Sequence, residues 1–292
     1  MRELKYSGGI FQHCLSVNAG IAGRANSARI SGLNLRFHES KIAQPITLNG
    51  LFMFLKEFYS TAANGISIDA EQGSRFAKEV AGDFNPLHDA DAKRFCVPGD
   101  LLFSLVLEKF GISANMKFTF SGMVGRDVLL QFPDTDAAEF EICDERGKPY
   151  LAVRRSGETR FDEALIESFM RSYVAFSGPN FPHVLVPLMA EHNVMINTQR
   201  PLVIYESMCF ELEGLDFEEP VLEPGETTLE VNSRRGEALL YFVVKAGEET
   251  VGHGFKKLVI SGIRAYDKGA IEAFVDNYLA RISAYRPHSA RQ

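Results

Sequence analysis

The stretch DLLFSLVLEKFG at 100–111 constrains the fold most, because positions 101–107 are apolar on every side of a helix except at Ser104. A helix with such a profile must be buried all round. Pro98 and Asp100 are residue types favoured in the first turn of a helix, and Gly111 suits the end of one. The sequence therefore predicts one long helix inside the protein rather than on its surface.

The segments around this helix complete a first module. A helix is expected at 71–82, because its apolar residues share one face, and a short polar helical turn is expected at 89–95. Segments with the alternation and residue types of strands follow at 116–132, 137–147 and 148–157. One buried helix followed by antiparallel strands indicates an α+β fold in which a curled sheet wraps the helix.

The rest of the chain repeats this order. A helical stretch at 161–178 precedes further strands, and an amphipathic helix at 270–282 closes the chain. The expected strands lie at 205–214, 227–233, 237–247 and 253–263. The repeat predicts two modules, 53–160 and 161–292.

The two modules differ at the position of one carboxylate. With an offset of 95 residues, His88 aligns with His183, whereas Asp83 aligns with Gly178. The second module has therefore lost the acid and is predicted to be degenerate, with a structural role for His183.

Residues 1–52 differ from the rest of the chain. They hold six basic residues and two acidic ones, with no sustained helical or alternating pattern. A disordered tail, an acidic-poor targeting segment and an over-extended translation start all fit this composition. The third interpretation is preferred, with Met53 as the first residue, because every informative pattern follows it.

The charge and the apolar content exclude two classes of partner. The chain has 292 residues, a formal net charge of −7 and no run of Lys and Arg interleaved with aromatic residues, so no nucleic acid is expected. A membrane span needs roughly 18 consecutive apolar residues, and no run approaches that length. We therefore expect neither nucleic acid binding nor a membrane span.

The four cysteines are far apart, with no C-x-x-C pair and no neighbouring His at ligand spacing; they are Cys14, Cys96, Cys143 and Cys209. This pattern favours free thiols in a reducing compartment and predicts no metal site. Since no clear secretion signal is visible, the predicted location is the cytoplasm.

The loop GDFNPLH at 82–88 carries the candidate chemistry. Addition of water to an α,β-unsaturated thioester needs a base, an acid and a donor that holds the enolate oxygen. Asp83 and His88 suit the first two tasks in either order, because Asn85 would stiffen the loop between them. The N–H of Gly99, at the start of the buried helix, suits the third.

The segments FAKEVAGDFNPLHDADAKRF and VPGDLLFS resemble the signature of the MaoC-like (R)-specific enoyl-CoA hydratases. That family has the pattern G-D-x-N-P-x-H, followed by a helix start H-G-M-L-x-x-S. The chain also resembles a group of bacterial proteins built on this motif. The matching positions are Asp83, Asn85, Pro86 and His88 in the first pattern, and Gly99, Leu101 and Ser104 in the second.

The resemblance implies a tandem, or double, hot-dog fold with one active site per chain. It implies Asp83 and His88 as the catalytic pair, and Asn85, Gly99 and Ser104 as substrate-binding residues. The substrate is a trans-2-enoyl thioester of coenzyme A or acyl carrier protein, hydrated to the (R)-3-hydroxyacyl form without a metal or redox cofactor. A homodimer of double hot-dog chains is a further expectation.

Three departures from the family pattern keep alternatives open. The family places its motif in the second half of double hot-dog chains, whereas here it lies in the first. Pro98 replaces the usual His, and Asp100 puts a negative charge where an apolar residue is usual. Asp100 could stabilise the helix N-terminus or face the cleft and disfavour an enolate.

A non-catalytic acyl-thioester binding or regulatory protein is the alternative to a hydratase, and a thioesterase is less favoured. Ser104 could also bond back to its own helix.

Overall fold

A computed structural model describes residues 54–287, which form five α-helices and twelve strands. The helices are α1 (Ala70–Arg75), α2 (Gly99–Phe110), α3 (Glu163–Ser177), α4 (Val186–Glu191) and α5 (Lys268–Ala284). The strands are β1 (Ser60–Ala62), β2 (Gly65–Ser67), β3 (Ile112–Phe120), β4 (Leu130–Gln131), β5 (Glu139–Asp144), β6 (Pro149–Arg160), β7 (Val194–Met195), β8 (Val203–Leu212), β9 (Val221–Asn232), β10 (Arg235–Ala246), β11 (Glu249–Ser261) and β12 (Arg264–Ala265). The predicted N-terminal extension, 1–52, lies outside the described residues.

Ten strands form one antiparallel sheet in the order β1-β2-β4-β5-β6-β3-β8-β11-β10-β9. Strand β3 pairs with β8 over Asn115 to Thr119, and this pairing joins the strands before residue 161 to those after it. We call residues 54–160 the first half and residues 161–287 the second half. Strands β7 and β12 pair separately. The two halves therefore share a continuous sheet.

Helix α2 is the buried helix that the sequence predicts, with ten of its twelve residues buried. Its Phe103 packs on Phe118 of β3 and on Tyr173 of α3, with ring centroids 5.1 and 4.7 Å apart. Phe110, at its other end, packs on Phe140 of β5 at 4.2 Å. A long helix covered by an antiparallel sheet in this way fits an α+β hot-dog fold, which confirms the predicted fold at that level.

The segment that leads into the loop at 82–88, which we call the motif loop, is an α-helix that continues as a π-helix. Asp69 caps α1 by accepting a hydrogen bond from the Gln72 N–H at 2.8 Å, and a π-helical turn, Phe76–Val80, continues it. The helix ends at Gly82, whose φ of +65° favours glycine. The sequence prediction was wrong at 89–95, where the backbone forms turns instead of a helix.

Helix α5 confirms the predicted closing helix and packs against the motif loop of the first half. The Tyr278 hydroxyl accepts a hydrogen bond from the Phe84 N–H at 3.1 Å, and Arg281 pairs with Asp89 at 2.6 Å. The C-terminal helix therefore supports the loop that carries Asp83. Between residues 54 and 287, no helix is both long and apolar enough to cross a membrane.

The end of α3 also approaches this loop closely. A Cβ placed on Gly178 would lie 1.6 Å from the carbonyl oxygen of Ala81. No side chain fits there without movement of the backbone. Gly178 is the residue that aligns with Asp83, so the second half has a close backbone contact at the position where the first half has its carboxylate.

Gly178→Ala tests this contact. Because Gly178 has helical angles (φ −68°, ψ −50°), alanine alone would stabilise the helix by about 1 kcal/mol. The clash with Ala81 outweighs that gain, and we expect the free energy of unfolding to fall by about 2 kcal/mol. Chemical denaturation measures it. Gly214→Ala is the control, since a Cβ there meets no atom within 4 Å. Equal stability of the two variants would contradict the close contact.

Candidate active site

The motif loop is held by hydrogen bonds from its own side chains. Asp83 Oδ1 accepts from the Asn85 N–H at 2.8 Å, and Asn85 Oδ1 accepts from the Leu87 N–H at 3.1 Å. A short 3-10 turn, Pro86–His88, follows. Such bonds between Asx side chains and the backbone are typical of tight turns. Asn85, the predicted substrate-binding residue, lines the cavity, and its side-chain oxygen is engaged in shaping the loop.

Asp83 and His88 face each other across this loop. Asp83 Oδ2 lies 3.5 Å from His88 Nε2, and the side chains are 25% and 12% exposed. His88 Nδ1 lies 2.7 Å from the carbonyl oxygen of Cys96, which can only accept, so Nδ1 carries a proton. Nε2 is therefore the ring nitrogen that faces the Asp83 carboxylate.

The two groups shift each other's pKa in opposite directions. Burial raises the pKa of Asp83, but the hydrogen bond and the charge of His88, together with the Asn85 N–H and Lys256, lower it below its ordinary value. Burial lowers the pKa of His88, but Asp83, the Cys96 carbonyl and Asp100 raise it above its ordinary value. The pair thus favours a carboxylate beside an imidazolium.

Gly99 is the first residue of α2, and Pro98 occupies the N-cap position. The first N–H groups of a helix have no partner within it and lie at the positive end of the helix dipole. A Cβ on Gly99 would lie 2.8 Å from the Tyr205 ring and 3.3 Å from the Phe120 ring. Glycine therefore allows two aromatic rings to pack against the start of the helix.

One cavity of about 340 Å³ brings these groups together. Asp83, His88 and Gly99, the residues predicted for the reactive centre, line it from the first half. Its apolar lining comes from both halves, and the second half contributes Leu185, Ile196, Leu202, Val203, Leu258 and Phe274. A small electrophile attached to an apolar chain fits such a lining.

A second polar group lies in the same cavity and consists of Asp100, Ser177 and Lys256, which we call the polar cluster. The Ser177 hydroxyl lies 2.9 and 2.7 Å from the two Asp100 oxygens, and Lys256 Nζ lies 2.5 Å from Ser177 Oγ. Asp100 therefore lines the cavity, which agrees with the interpretation in which its carboxylate faces the cleft. Burial raises the pKa of Asp100, although Lys256 and Ser177 oppose this.

Sequence analysis did not identify Ser177 and Lys256. A signal for Lys256 was nevertheless present in strand β11. Every second residue of GHGFKKLVI from Gly252 onward is buried, and Lys256 falls in that series before Leu258 and Ile260. A lysine in the buried phase of a strand indicates a partner or a function.

The structure places two other predicted residues away from the cavity. Ser104 is fully buried, and its hydroxyl donates to the Asp100 carbonyl at 2.7 Å. The substrate-binding prediction for Ser104 disagrees with this placement, because a serine inside a helix can satisfy its hydroxyl on the preceding turn. His183 is exposed and lies outside the residues that line the cavity.

The model of a family described as "Protein of unknown function (DUF3581)" matches residues 53–269. The chain belongs to the DUF3581 family. No curated protein matches this DUF3581 chain significantly.

Solved structures include distant likenesses of the DUF3581 chain. It is similar to an acyl-CoA thioesterase II, TesB2, from Mycobacterium marinum, with 7% identity, a TM-score of 0.33 and coverage of 58% of this chain and 90% of that chain. It is also similar to a conserved protein of unknown function with hot-dog fold from Alicyclobacillus acidocaldarius, with 8% identity, a TM-score of 0.34 and coverage of 72% and 99%. Because both TM-scores are low, the fold assignment rests on the chain's own helices and sheet.

The effect of the Asp83 carboxylate on the pKa of His88 can be measured in the DUF3581 protein. Asp83→Asn removes the carboxylate that raises the pKa of His88, while burial continues to lower it. We therefore expect the pKa of His88 to fall, as measured by NMR titration of the ring protons and assigned with His88→Gln. Asp91→Asn, at an exposed position, is the matched control. An unchanged His88 titration in Asp83→Asn would show that the two side chains do not interact.

Proposed function

We propose that this protein is a hydratase or dehydratase that interconverts a trans-2-enoyl thioester and its (R)-3-hydroxyacyl form. The observation that carries the proposal is the convergence of the Asp83–His88 pair and the start of α2 in one cavity. The reaction needs a base, an acid and an oxyanion donor, and the cavity has a residue for each. The acyl chain is carried by coenzyme A or acyl carrier protein.

The pKa directions support one assignment of the roles that the sequence leaves open. Asp83, with its lowered pKa, takes a proton from water as the water oxygen bonds to carbon 3. The enolate oxygen that forms accepts a hydrogen bond from the Gly99 N–H. The His88 imidazolium then protonates carbon 2, and the proton on Asp83 passes to His88 across their contact. One water molecule supplies the atoms of the new C–O and C–H bonds, and Asp83 and His88 return to their starting protonation states, so the proposal includes no metal or redox cofactor.

The tandem hot-dog arrangement is part of the proposal. Each half supplies one long helix, α2 or α3, and the strands of both halves form one sheet through β3 and β8. The second half then takes the place of the partner subunit that a single hot-dog enzyme acquires by dimerising. It lines the cavity but has Gly178 in place of a second acid, so we propose one active site per chain.

Asp100 is the observation that favours a non-catalytic acyl-thioester binding protein instead. A carboxylate next to Gly99 opposes negative charge on a nearby enolate oxygen. Lys256 weakens this argument, because its ammonium group reaches Asp100 through Ser177 and supplies a compensating charge. We therefore favour a hydratase over a protein that binds acyl thioesters without turnover.

Hydration of trans-2-hexenoyl-CoA, followed as loss of the conjugated enone, tests the proposed reaction. We expect Asp83→Asn and His88→Ala each to lower kcat by about 10²-fold or more, because each removes a proton-transfer group. His183→Ala, which changes the exposed aligned histidine, should retain the wild-type rate. Tight binding of the thioester without turnover by the wild type would favour the binding protein, and release of free thiol without hydration would favour a thioesterase.

The pH dependence of kcat/KM tests the assignment of base and acid. Hydration needs Asp83 ionised, so activity should fall only as pH drops through a pKa below the ordinary 3.8. It also needs His88 protonated, so activity should fall as pH rises through a pKa above the ordinary 6.5. Rates measured over a range in which the protein stays folded should give this bell shape. A rate that rises with pH above 6.5 would contradict the assignment and make His88 the base.

A further inference from the structure

The polar cluster contains buried charges that transfer no proton in the proposed reaction. Asp100, Ser177 and Lys256 are 5%, 3% and 6% exposed, yet all three line the cavity. Burial of a carboxylate and an ammonium group is costly unless their hydrogen-bonding capacity is satisfied. Because the two charges compensate each other, they call for a polar ligand only where part of their hydrogen-bonding capacity is left over.

The hydrogen bonds within the cluster leave an acceptor on Asp100 and a donor on Lys256 without a partner. Ser177 has a single hydroxyl proton, which cannot satisfy both oxygens of Asp100. Lys256 directs two N–H groups at Ser177, one to Oγ at 2.5 Å and one to the carbonyl oxygen at 3.3 Å. Its third N–H has no hydrogen-bond partner among the contacts of residues 54–287, although the Tyr205 ring lies 4.2 Å from Nζ. The cluster thus keeps at least one donor and one acceptor.

From this capacity we propose that the polar cluster binds a hydroxyl group on the acyl chain of the substrate, beyond the carbons that react. A hydroxyl can accept from Lys256 and donate to Asp100 at once. A ketone cannot donate, and a carboxylate would add a second negative charge beside Asp100. An alkyl chain would leave the third Lys256 N–H and one Asp100 oxygen without a partner, which a site built for a hydroxyl penalises.

The position of the cluster supports this inference, which rests on the proposed function. Asp100 directly follows Gly99, whose N–H is proposed to hold the thioester oxygen. Lys256 lies two residues before Leu258 on β11, and Leu258 belongs to the apolar lining. An acyl chain that extends from the reacting carbons into this lining therefore passes the cluster.

Paired substrates of equal length test the proposal. The kcat/KM for six-carbon trans-2-enoyl-CoA with a hydroxyl at carbon 5 or carbon 6 is compared with that for trans-2-hexenoyl-CoA. We expect one hydroxylated substrate to be preferred by about 10- to 100-fold, the range for a hydrogen bond to charged groups. Equal values for all three substrates would overturn the proposal without any variant.

Variants of the polar cluster test whether it causes the preference for the hydroxylated substrate. Lys256→Met and Asp100→Asn should each bring the ratio of kcat/KM for the preferred hydroxylated substrate to kcat/KM for trans-2-hexenoyl-CoA close to one. Lys257→Met is the matched control, because the neighbouring lysine pairs with Glu206 and Glu237, each at 2.8 Å, outside the cavity. Thermal unfolding checks that each variant folds. A ratio that survives in folded Lys256→Met would show that the hydroxyl binds elsewhere.

Binding of saturated analogues separates this inference from the proposed reaction. The Kd of 5-hydroxyhexanoyl-CoA and 6-hydroxyhexanoyl-CoA is compared with that of hexanoyl-CoA by calorimetry. Tighter binding of one hydroxylated analogue with no hydration of any enoyl-CoA would overturn the proposed function and support the hydroxyl site. Hydration with no preference in either assay would support the function and overturn the site.

Discussion

Helix α2 has apolar side chains on all its faces, so it is stable only where protein surrounds it. Strands β3 and β5 cover it on one side, and α3 covers it on another. The start of the helix then becomes the place where unsatisfied backbone N–H groups meet a cavity. Burial of one helix in this way determines where an anionic or carbonyl oxygen could be held, before any side chain contributes chemistry.

The same burial explains why the second half matters to the site. A carboxylate in the first turn of a buried helix needs compensating groups close by. Asp100 obtains them from Ser177 at the end of α3 and from Lys256 on β11. The close contact at Gly178 brings the end of α3 against the motif loop. The half that lacks its own acid therefore helps to form the cavity around the acid of the other.

The sequence predicted the parts of the fold and site that lie close together in the chain. The apolar profile of α2 and the turn-forming loop identify the buried helix, Asp83 and His88, because each depends on local spacing. Ser177 lies 77 residues from Asp100 and 79 from Lys256, and no local pattern predicts that they meet. Their contact depends on how the two halves pack, and the pairing of β3 with β8 into one continuous sheet is equally non-local.

The most direct test of the central claim is a crystal structure of the protein with hexanoyl-CoA, a saturated thioester that cannot be hydrated. We expect the thioester oxygen within about 3.2 Å of the Gly99 nitrogen, the upper range of an N–H hydrogen bond. Carbon 3 should then lie beside Asp83, with room for one water molecule between them, and carbon 2 beside His88, with the rest of the chain against the apolar lining of the cavity. A thioester bound with carbon 3 remote from both side chains would contradict the claim that this pair acts on the acyl group.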